Sequence, residues 1–327
     1  MERLERGPNS VAVAICTRNR PEMLRAALRS LARLDLADID CHFIIVENND
    51  VLTVEPVVAE LANAVGSERV VLRLEPRPGI PFARNSALDA ALAMDVKGLA
   101  FIDDDEVVDA QWLVELVGTM KRDGLDLVGG PVRLQPASAD ATTSERMVWR
   151  GLDARLRDIE TKSRRRATLG QGERITIVTN NWLANLDFVR RAGIRFDETL
   201  GLSGGEDTAF YRDLRRAGGK SGWAPEAHVL DTWPRERLTL SYQFRRARDQ
   251  ELAHHHAKYP DRGLPAASAF LGMALFKTVG GFLRVIQSIF DGGASLVRAA
   301  RAFGAIAGAA DALRGRRSRH YETVSGR

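Results

Sequence analysis

The amino-acid sequence predicts an α/β fold in which a mostly parallel sheet is covered by helices on both faces. Over roughly the first 130 of its 327 residues, short apolar runs alternate with segments of helical periodicity. The apolar runs are continuous, as in parallel strands that are buried on both faces. Polar residues follow three of these runs directly, at the edge of a parallel sheet where ligands bind.

The predicted strands and helices follow one another in regular order through this part of the chain. Strands are expected at residues 11–16, 42–46, 70–74, 98–102 and 126–132. The helices between them are expected at about residues 23–34, 55–65, 81–94 and 110–121. In the first helix, Leu24, Leu28 and Leu31 recur at helical spacing. Right-handed crossovers then bring the carboxyl ends of the strands to one edge of the sheet.

The regular alternation ends near residue 134. Residues 134–172 show no clear pattern, and the polar, basic stretch TKSRRRATLGQGE at residues 161–173 is expected to form a mobile loop. A strand is predicted next, followed by three helices, at residues 175–178, 185–192, 207–217 and 238–258. The second of these helices should end at Gly218-Gly219, because glycine commonly terminates helices.

Residues 264–313 have the pattern of basic amphipathic helices. Lys277 and Arg284 are seven residues apart and share one helical face, while Leu275, Val279 and Ile286 occupy much of the rest. Helices of this kind commonly lie in a membrane interface. A helical hairpin packed on the rest of the protein, or a dimer contact, is the alternative.

Composition excludes several classes of function. The formal net charge is +4, with arginine clusters at residues 164–166, 245–246 and 314–319. These clusters lack interleaved aromatic residues, so we expect no nucleic-acid binding. Cys16 and Cys41 are not spaced as a metal site and are expected to be buried. The first ten residues lack the apolar core of a signal peptide. No run of 18 uncharged apolar residues occurs, so no clean membrane span is expected. Together these observations predict a cytoplasmic protein.

Three adjacent carboxylates, Asp103, Asp104 and Asp105, follow the fourth strand. Carboxylate oxygens at a strand end suit a hard divalent cation such as Mg²⁺ or Mn²⁺. Because successive strand residues face opposite ways, Asp103 and Asp105 are expected to point together and Asp104 apart. An acidic turn that caps the next helix is the structural alternative, but Asp109 already fits that capping role.

A second acidic pair, Glu206 and Asp207, begins a predicted helix after Gly204-Gly205. Carboxylates at a helix N-terminus are stabilised by its dipole, so capping is one interpretation. One carboxylate is enough for a cap, however, and the paired glycines favour close approach of another group. A carboxylate here could also act as a general base on a hydroxyl nucleophile.

These motifs, in this order, resemble those of family 2 glycosyltransferases of the GT-A fold. The stretches that carry the resemblance are VAVAICTRNRPEMLRAALRSL, FIIVENND, PFARNSALDAAL, AFIDDDEVVDAQWL and GGEDTAFYRDLRRAGG. Their form is most similar to bacterial exopolysaccharide enzymes of the succinoglycan glucosyltransferase type. The resemblance extends over residues 11–248 and implies a Rossmann-like sheet, a nucleotide-diphosphate sugar donor, a divalent cation (Mn²⁺ or Mg²⁺) and inversion at the anomeric carbon.

The resemblance also implies roles for particular residues in donor and metal binding. The residues that would bind the nucleotide sugar are Thr17, Arg18, Asn19, Asn48, Arg84, Asp103 and Asp104. Thr17 and its neighbours would line the nucleobase pocket. Asn48 stands where many relatives carry Asp for uracil recognition. Because Asn also occurs there in relatives, the resemblance still implies a UDP-sugar. Asp103 would contact ribose and metal, Asp104 ribose or nearby backbone, and Asp105 would be the principal metal ligand.

On the acceptor side, Asp207 would be the catalytic base and Glu206 would position the acceptor. Processive members carry Gln-x-x-Arg-Trp, whereas the nearest match here, Gln243 to Ala247, lacks the Trp. Together with the absence of a clean membrane span, this predicts addition of a single sugar, and the resemblance implies glucose as the first expectation. Arg245 or Arg246 could neutralise the leaving diphosphate, although either could equally be a surface residue of its helix.

The expected domain organisation follows from these assignments. Residues 1–260 would form the catalytic domain, with a nucleotide-sugar half at about 10–133 and an acceptor half at about 174–260, and residues 261–327 would form a membrane-associating region. The expected acceptor is a lipid-linked oligosaccharide at the inner face of the cytoplasmic membrane, to which the enzyme would bind peripherally.

Two other functional classes remain open at this point. Asp103-x-Asp105-x-Val107 fits the nucleophile motif of haloacid-dehalogenase-type phosphatases, although GGEDT matches their downstream motifs poorly. A catalytically silent sugar-nucleotide-binding assembly protein is the second alternative, and the two intact acidic motifs argue against it.

Overall fold

A computed structural model of the chain describes Gly7 and residues 9–175, 177, 179–201, 204–259 and 263–316. The strands are β1 (Ser10–Thr17), β2 (Asp40–Glu47), β3 (Val70–Leu74), β4 (Gly98–Asp103), β5 (Glu106–Val108), β6 (Leu127–Gly129), β7 (Val132–Leu134), β8 (Asn181–Asn185), β9 (Ser221–Trp223) and β10 (Val229–Asp231). The helices are α1 (Pro21–Leu31), α2 (Glu55–Val65), α3 (Ile80–Ala93), α4 (Trp112–Asp123), α5 (Thr143–Thr168), α6 (Leu186–Ala192), α7 (Glu206–Arg216), α8 (Leu240–Lys258), α9 (Leu264–Ser288) and α10 (Ser295–Leu313).

The central sheet has seven strands in the order β3-β2-β1-β4-β8-β6-β9. The first four in this order are mutually parallel, and β8 is antiparallel to both of its neighbours. Side chains of β1 alternate between two cores: Val13 and Ile15 pack with α1, α2 and α4, whereas Ala12 and Ala14 pack with α3, α6 and α7. The predicted mostly parallel sheet with helices on both faces is therefore confirmed.

The strand predicted at residues 126–132 is two strands in different sheets. β6 belongs to the central sheet, while β7 joins a small sheet of order β5-β10-β7. The chain changes sheets at Gly130-Pro131. A Cβ atom on Gly130 would lie 2.0 Å from the carbonyl oxygen of Ala227, so only glycine allows this crossing.

The mobile loop predicted at residues 161–173 is wrong, because residues 161–168 are the last two turns of the 26-residue helix α5 (Thr143–Thr168). A capping box starts the helix: the Glu145 amide donates to Thr142 Oγ1 at 3.2 Å, and the Thr142 amide donates to Glu145 Oε2 at 2.7 Å. Arg164 of this helix forms ion pairs with Glu160 of the same helix at 3.2 Å and with Glu226, which lies between β9 and β10, at 2.8 Å. In its first half, Val148, Leu152 and Leu156 recur at helical spacing and pack in a small core, whereas residues 161–168 are polar and basic and have no such stripe.

Three smaller predictions also need correction or restriction. The predicted strand at 175–178 includes Thr176 and Val178, which lie outside the described residues, and the next strand is β8. The helix predicted from residue 185 begins one residue later, because Asn185 is its N-cap and accepts from the amide of Asp187 at 3.0 Å. Asp109 does not cap α4, which begins at Trp112, but accepts from the Gln111 amide at 3.0 Å.

The last two helices differ sharply in burial. Helix α10 packs against α5, α8 and α9, with glycines at its closest approach to α8. A Cβ atom on Gly304 would lie 2.3 Å from the carbonyl oxygen of Phe244, and one on Gly308 would lie 2.1 Å from that of Arg248. Helix α9 instead leaves most of its large apolar side chains exposed, including Phe276 at 80%, and Phe290 just beyond its end is 84% exposed.

Helix α9 is, by length and composition, apolar enough to cross a membrane, and within the described part of the chain it is alone in this. Lys277 and Arg284 interrupt its apolar run, so this finding does not contradict the expectation that the chain has no uncharged 18-residue apolar span. A single helix of this kind is weak evidence for a membrane span.

The close packing of α10 on α8 predicts a stability effect at its glycines. Gly308→Ala should lower the free energy of unfolding by about 1–3 kcal/mol, because the added methyl group must displace the backbone of α8. Urea denaturation measures the change. The matched control is Gly118→Ala in α4, where the methyl group meets open space and should stabilise the helix by about 0.5–1 kcal/mol. Equal stability of both variants would contradict the described docking of α10.

Candidate active site

The carboxyl ends of β2, β1 and β4 bring three polar segments together. Thr17 pairs in register with Glu47 of β2, and Cys16 pairs with Asp103 of β4. The residues that follow these strands therefore line one edge of the sheet, as the sequence predicted. Cys16 itself is half-buried and Cys41 is buried. Burial raises the pKa of each thiol to about 12, so neither is a ready nucleophile.

The acidic triplet is held by hydroxyl and guanidinium groups. Asp104 accepts from Thr17 Oγ1 at 2.7 Å and from Arg20 Nη1 at 2.9 Å. Asp105 accepts from the same Arg20 nitrogen at 3.4 Å and from Arg237 Nη1 at 3.2 Å. The expected strand alternation does not extend through the triplet, because β4 ends at Asp103 and the next two residues form a turn. Asp104 and Asp105 consequently share one arginine.

Arg84 of α3 joins the two acidic motifs. It is buried and forms an ion pair with Glu206, the first residue of α7, while its Nη2 lies 3.5 Å from Asp103 Oδ1. Burial alone would lower the pKa of Arg84, but the charges of Glu206 and Asp103 outweigh it and raise that pKa. Arg84 thus stays charged and fixes the distance between the end of β4 and the start of α7.

Asp207 is the more accessible of the second acidic pair. Glu206 is only 3% exposed and faces Arg84, whereas Asp207 is half-buried. Asp207 Oδ1 accepts from the amide of Thr208 at 2.6 Å. Gly204 and Gly205 precede the pair with φ values of +80° and +95°, a conformation that favours glycine. This turn lets α7 start with Asp207 toward solvent.

An aromatic cluster packs beneath the end of β4 and the start of α7, which carry the two acidic motifs. Phe101 of β4 stacks on Trp182 of β8 at 5.8 Å, and Phe210 of α7 lies 4.9 Å from Trp182. Phe196 stacks on Phe210 at 4.6 Å and lies 5.8 Å from the guanidinium of Arg84. Because these rings are rigid and close-packed, they fix the position of α7 relative to β4.

The side chains predicted to line the nucleobase pocket are largely occupied by other protein groups. Asn48 donates to the carbonyl oxygens of Glu75 at 2.8 Å and Arg77 at 2.7 Å, and it accepts from the Gly79 amide at 3.0 Å. Both amide hydrogens of Asn48 are therefore used to shape the loop after β3, and one lone pair of Oδ1 is left.

The loop after β1 carries the other predicted residues of this pocket. Asn19 has a φ of +56° and accepts from Asn49 Nδ2 at 3.0 Å. The Nε atom of Arg18 is buried without a hydrogen-bond partner among the described residues.

Four charged residues of this site were not predicted: Arg20, Glu106, Asp231 and Arg237. Glu106 is 1% exposed and accepts from the Asp103 amide at 2.9 Å, which fixes the turn of the triplet. Burial, and then the charge of Asp103, raises its pKa well above the usual range. Arg20 lies within the CTRNRP stretch and could have been predicted as a site residue from that motif. Asp231 and Arg237 have no local sequence signal.

The donor set fits a divalent cation that shares its coordination with a substrate. Carboxylates outnumber the arginines around the triplet, and burial with the neighbouring charge of Asp105 raises the pKa of Asp104 to about 6 and that of Asp231 to about 7. No set of three or more His, Cys, Asp or Glu side chains within the described residues is arranged to hold a metal. Asp103, 45% exposed, and Asp105 could supply two oxygens, and a diphosphate could supply others.

Comparison with known proteins identifies the class to which this site belongs. The sequence profile described as "Glycosyltransferase like family 2" matches residues 8–251. The chain is 33% identical over 239 residues to the succinoglycan biosynthesis protein ExoM of Rhizobium meliloti (strain 1021), and the match covers 72% of this chain and 71% of ExoM. The chain therefore belongs to glycosyltransferase family 2, and the predicted resemblance is confirmed.

Solved structures agree on the fold. The crystal structure of S. aureus TarS 1-349 in complex with UDP-GlcNAc has a TM-score of 0.51 at 10% identity and covers 91% of this chain and 90% of that one. The complex of the same fragment with UDP has a TM-score of 0.51 at 11% identity and covers 94% and 92%. Neither the family nor the sheet order supports the phosphatase alternative.

The ion pairs of Arg84 predict a large stability effect. Arg84→Met should lower the free energy of unfolding by about 3–5 kcal/mol, because it leaves Glu206 buried without a counter-charge. The double variant Arg84→Met/Glu206→Leu removes both charges and should recover much of that loss. Urea denaturation of both variants measures the effect, and equal instability of the two would show that the charge of Glu206 is not the cause.

Proposed function

We propose that this family 2 enzyme is an inverting, non-processive glycosyltransferase. It moves a sugar, with glucose as the first candidate, from a UDP-sugar to a hydroxyl of a lipid-linked oligosaccharide in bacterial surface polysaccharide synthesis. The observation that carries the proposal is that the buried Arg84 pairs both with Asp103 of the acidic triplet and with Glu206, the neighbour of Asp207. The name of ExoM supports the pathway, and the UDP complexes of TarS support the donor.

In this proposal the donor lies along the carboxyl edge of the sheet. The uracil ring sits in the pocket formed after β1 and β2 by Thr17, Arg18 and Asn19, and the free lone pair of Asn48 Oδ1 accepts from the ring N3–H. Asp103 and Asp104 lie at the ribose. Arg84 supports this site by holding the carboxylate of Asp103.

Asp103 and Asp105 would hold Mn²⁺ or Mg²⁺ together with the donor diphosphate. The cation would supply charge neutralisation for the departing nucleoside diphosphate. Arg20 and Arg237 lie against Asp104 and Asp105 and can donate to phosphate oxygens from the same place. Arg246 lies 5.0 Å over the ring of Trp233 and adds positive charge, whereas Arg245 is exposed.

Asp207 acts as the general base. It accepts the proton of the acceptor hydroxyl as that oxygen attacks the anomeric carbon, and the bond to the diphosphate breaks on the opposite side. An α-linked donor therefore gives a β-linked product. Glu206 contributes through Arg84, because it is buried and does not face the acceptor. It is thus a positioning residue, which refines the role suggested by the resemblance.

The proposed organisation retains the boundaries inferred from the sequence. Residues 1–260 form the catalytic domain, with donor and acceptor halves at about 10–133 and 174–260. Residues 261–327 attach the enzyme to the inner face of the cytoplasmic membrane, where a lipid-linked acceptor is confined. The exposed apolar face of α9 supports this assignment.

Substitution of the base tests the proposed chemistry. Asp207→Asn should lower sugar transfer by about 10²–10⁴-fold, because no other group replaces the base. Transfer is followed as labelled sugar entering the lipid fraction of bacterial membranes, with Mn²⁺ present. The donor should still raise the melting temperature of the variant. Asp213→Asn on the exposed side of α7 is the matched control and should retain full transfer.

Three results would contradict this scheme. Full activity of Asp207→Asn would remove the base, and a product with the donor's anomeric configuration would exclude a single displacement. Binding of a UDP-sugar by the wild-type protein without any transfer would instead favour the silent-binder alternative.

The membrane assignment predicts a defined effect of substitutions on and just beyond α9. The variant Leu275→Ser/Phe276→Ser/Phe290→Ser should bind neutral phosphatidylcholine vesicles at least about tenfold more weakly, since each such side chain contributes roughly 1.5–3 kcal/mol when buried. Vesicle flotation measures the change. Point substitutions are preferable to a deletion, because α10 covers α8.

The control for this experiment is Val51→Ser/Leu169→Ser, which removes exposed apolar side chains elsewhere and should leave vesicle binding unchanged. If the α9 variant instead converts a dimer into a monomer without changing flotation, α9 is a contact between copies of the chain.

A further inference from the structure

A basic pocket lies among α5, α8, α9 and α10, on the side of α9 that faces the protein. Its volume is about 560 Å³. The cationic side chains that line it are Arg155, Lys162, Lys277, Arg298 and Arg301. The acidic side chains in its lining are Asp158 and Glu251. We define this set as the basic pocket.

The positive charge of the basic pocket is only partly neutralised. Arg298 is paired with Asp158 at 2.5 Å. Arg301 donates to the amide oxygens of Gln243 at 3.1 Å and Gln250 at 2.8 Å, which orient the guanidinium without neutralising it. Within the described part of the chain, no hydrogen bond or ion pair engages Arg155, Lys162 or Lys277.

The arginines of this pocket repel one another. Burial, and then the charges of Arg155 and Arg246, lowers the pKa of Arg301 below its ordinary value. Burial, Arg246 and Arg298 do the same for the pKa of Arg155. Guanidinium groups remain charged in proteins, so this repulsion raises the free energy of the pocket until an anion enters it.

The position of the pocket on α9 indicates the source of that anion. At 3.6 residues per turn, Leu275, Val279 and Ile286 project from the side of α9 opposite Lys277. An interfacial helix buries its apolar face by roughly 5–10 Å, and a helix is about 10–12 Å thick. The inward side of α9, with Lys277, then stands at the level of the lipid phosphates.

One residue, Arg246, connects the pocket electrostatically with the carboxylates around the acidic triplet. Arg246 acts electrostatically on Arg155 and Arg301 of the pocket, and it acts on Asp231 beside Asp105 as well. An anion in the pocket would therefore lie near Arg246, the residue that also acts on Asp231.

We propose that the basic pocket binds the phosphate group of a membrane lipid. This proposal rests on the proposed seating of α9 in the membrane. The ligand class is a lipid phosphate or diphosphate, held by Arg155, Arg301 and Lys277 with Arg298 and Lys162 at the rim. A lipid-linked acceptor carries this group, and binding it here would hold the acceptor on the enzyme.

Vesicle binding by the full-length protein tests the proposal. The two vesicle types are phosphatidylcholine alone and phosphatidylcholine with a minor fraction of phosphatidic acid. Wild-type protein should prefer the second by about tenfold or more, since several basic residues each strengthen binding at an anionic surface. Arg155→Gln/Lys277→Gln/Arg301→Gln should lose this preference and still bind phosphatidylcholine. Arg155→Lys/Arg301→Lys, which keeps the charge, should retain most of it.

The matched control is Arg33→Gln/Arg73→Gln/Arg216→Gln, which removes the same charge from exposed positions elsewhere. If the control loses the preference equally, the attraction is diffuse and the pocket proposal is wrong. Folding of each variant is checked by the melting-temperature increase that UDP-glucose with Mn²⁺ produces.

The remaining outcomes separate the two proposals. Wild-type protein that binds neither vesicle overturns the membrane seating of α9, whereas equal binding to both vesicles overturns the pocket proposal alone. The affinity for inorganic pyrophosphate is measured as well. If it equals the affinity for the phosphatidic acid vesicles, and if the pocket variant no longer binds pyrophosphate, the ligand is a soluble phosphate and not a lipid.

Discussion

The buried ion pairs of Arg84 are the constraint on which the active site depends. Arg84 joins α3 to Asp103 at the end of β4 and to Glu206 at the start of α7. A buried charge is costly unless it is paired, so the three residues hold one arrangement. That arrangement sets the acidic triplet against Asp207, although about a hundred residues separate the two motifs. Charges fixed in this way need no reorganisation during the reaction, which is how a preorganised site lowers a barrier.

The charges around the triplet fit a substrate that carries both positive and negative charge. Arg20 and Arg237 contact Asp104 and Asp105, yet the neighbouring carboxylates remain in excess and their pKa values are raised. A cation alone would remove that excess but would leave the arginines in competition with it. A cation bound to a diphosphate offers oxygens to the arginines and charge to the carboxylates together. The metal complex of a nucleotide sugar proposed above would satisfy both sets of charges, whereas either component alone would satisfy one.

Much of the fold could be predicted from the sequence, because continuous apolar runs and helical periodicity define β1 to β4 and their helices. The predicted site residues at strand ends follow from the same pattern. The end of helix α5 was missed because residues 161–168 are polar and basic, although Val148 and Leu152 form a buried apolar stripe earlier in the helix. The orientation of the triplet was predicted incorrectly, because the alternation of side chains along a strand stops at Asp103, where β4 ends. Arg237 contacts Asp105 across 132 residues of sequence, and no local pattern reports such a contact.

Helix α9 shows a further limit of periodicity. The sequence reveals an apolar and a basic side but not which side faces the protein. In the structure Lys277 faces inward at the basic pocket, while Phe276 and Leu275 face outward. Water would favour the reverse, since exposed apolar area is unfavourable and clustered cations repel. The membrane surface proposed above would relieve both anomalies, because apolar chains would lie outside α9 and phosphate groups would lie level with its inner side. Under that proposal the two sides of α9 are complementary to the same partner.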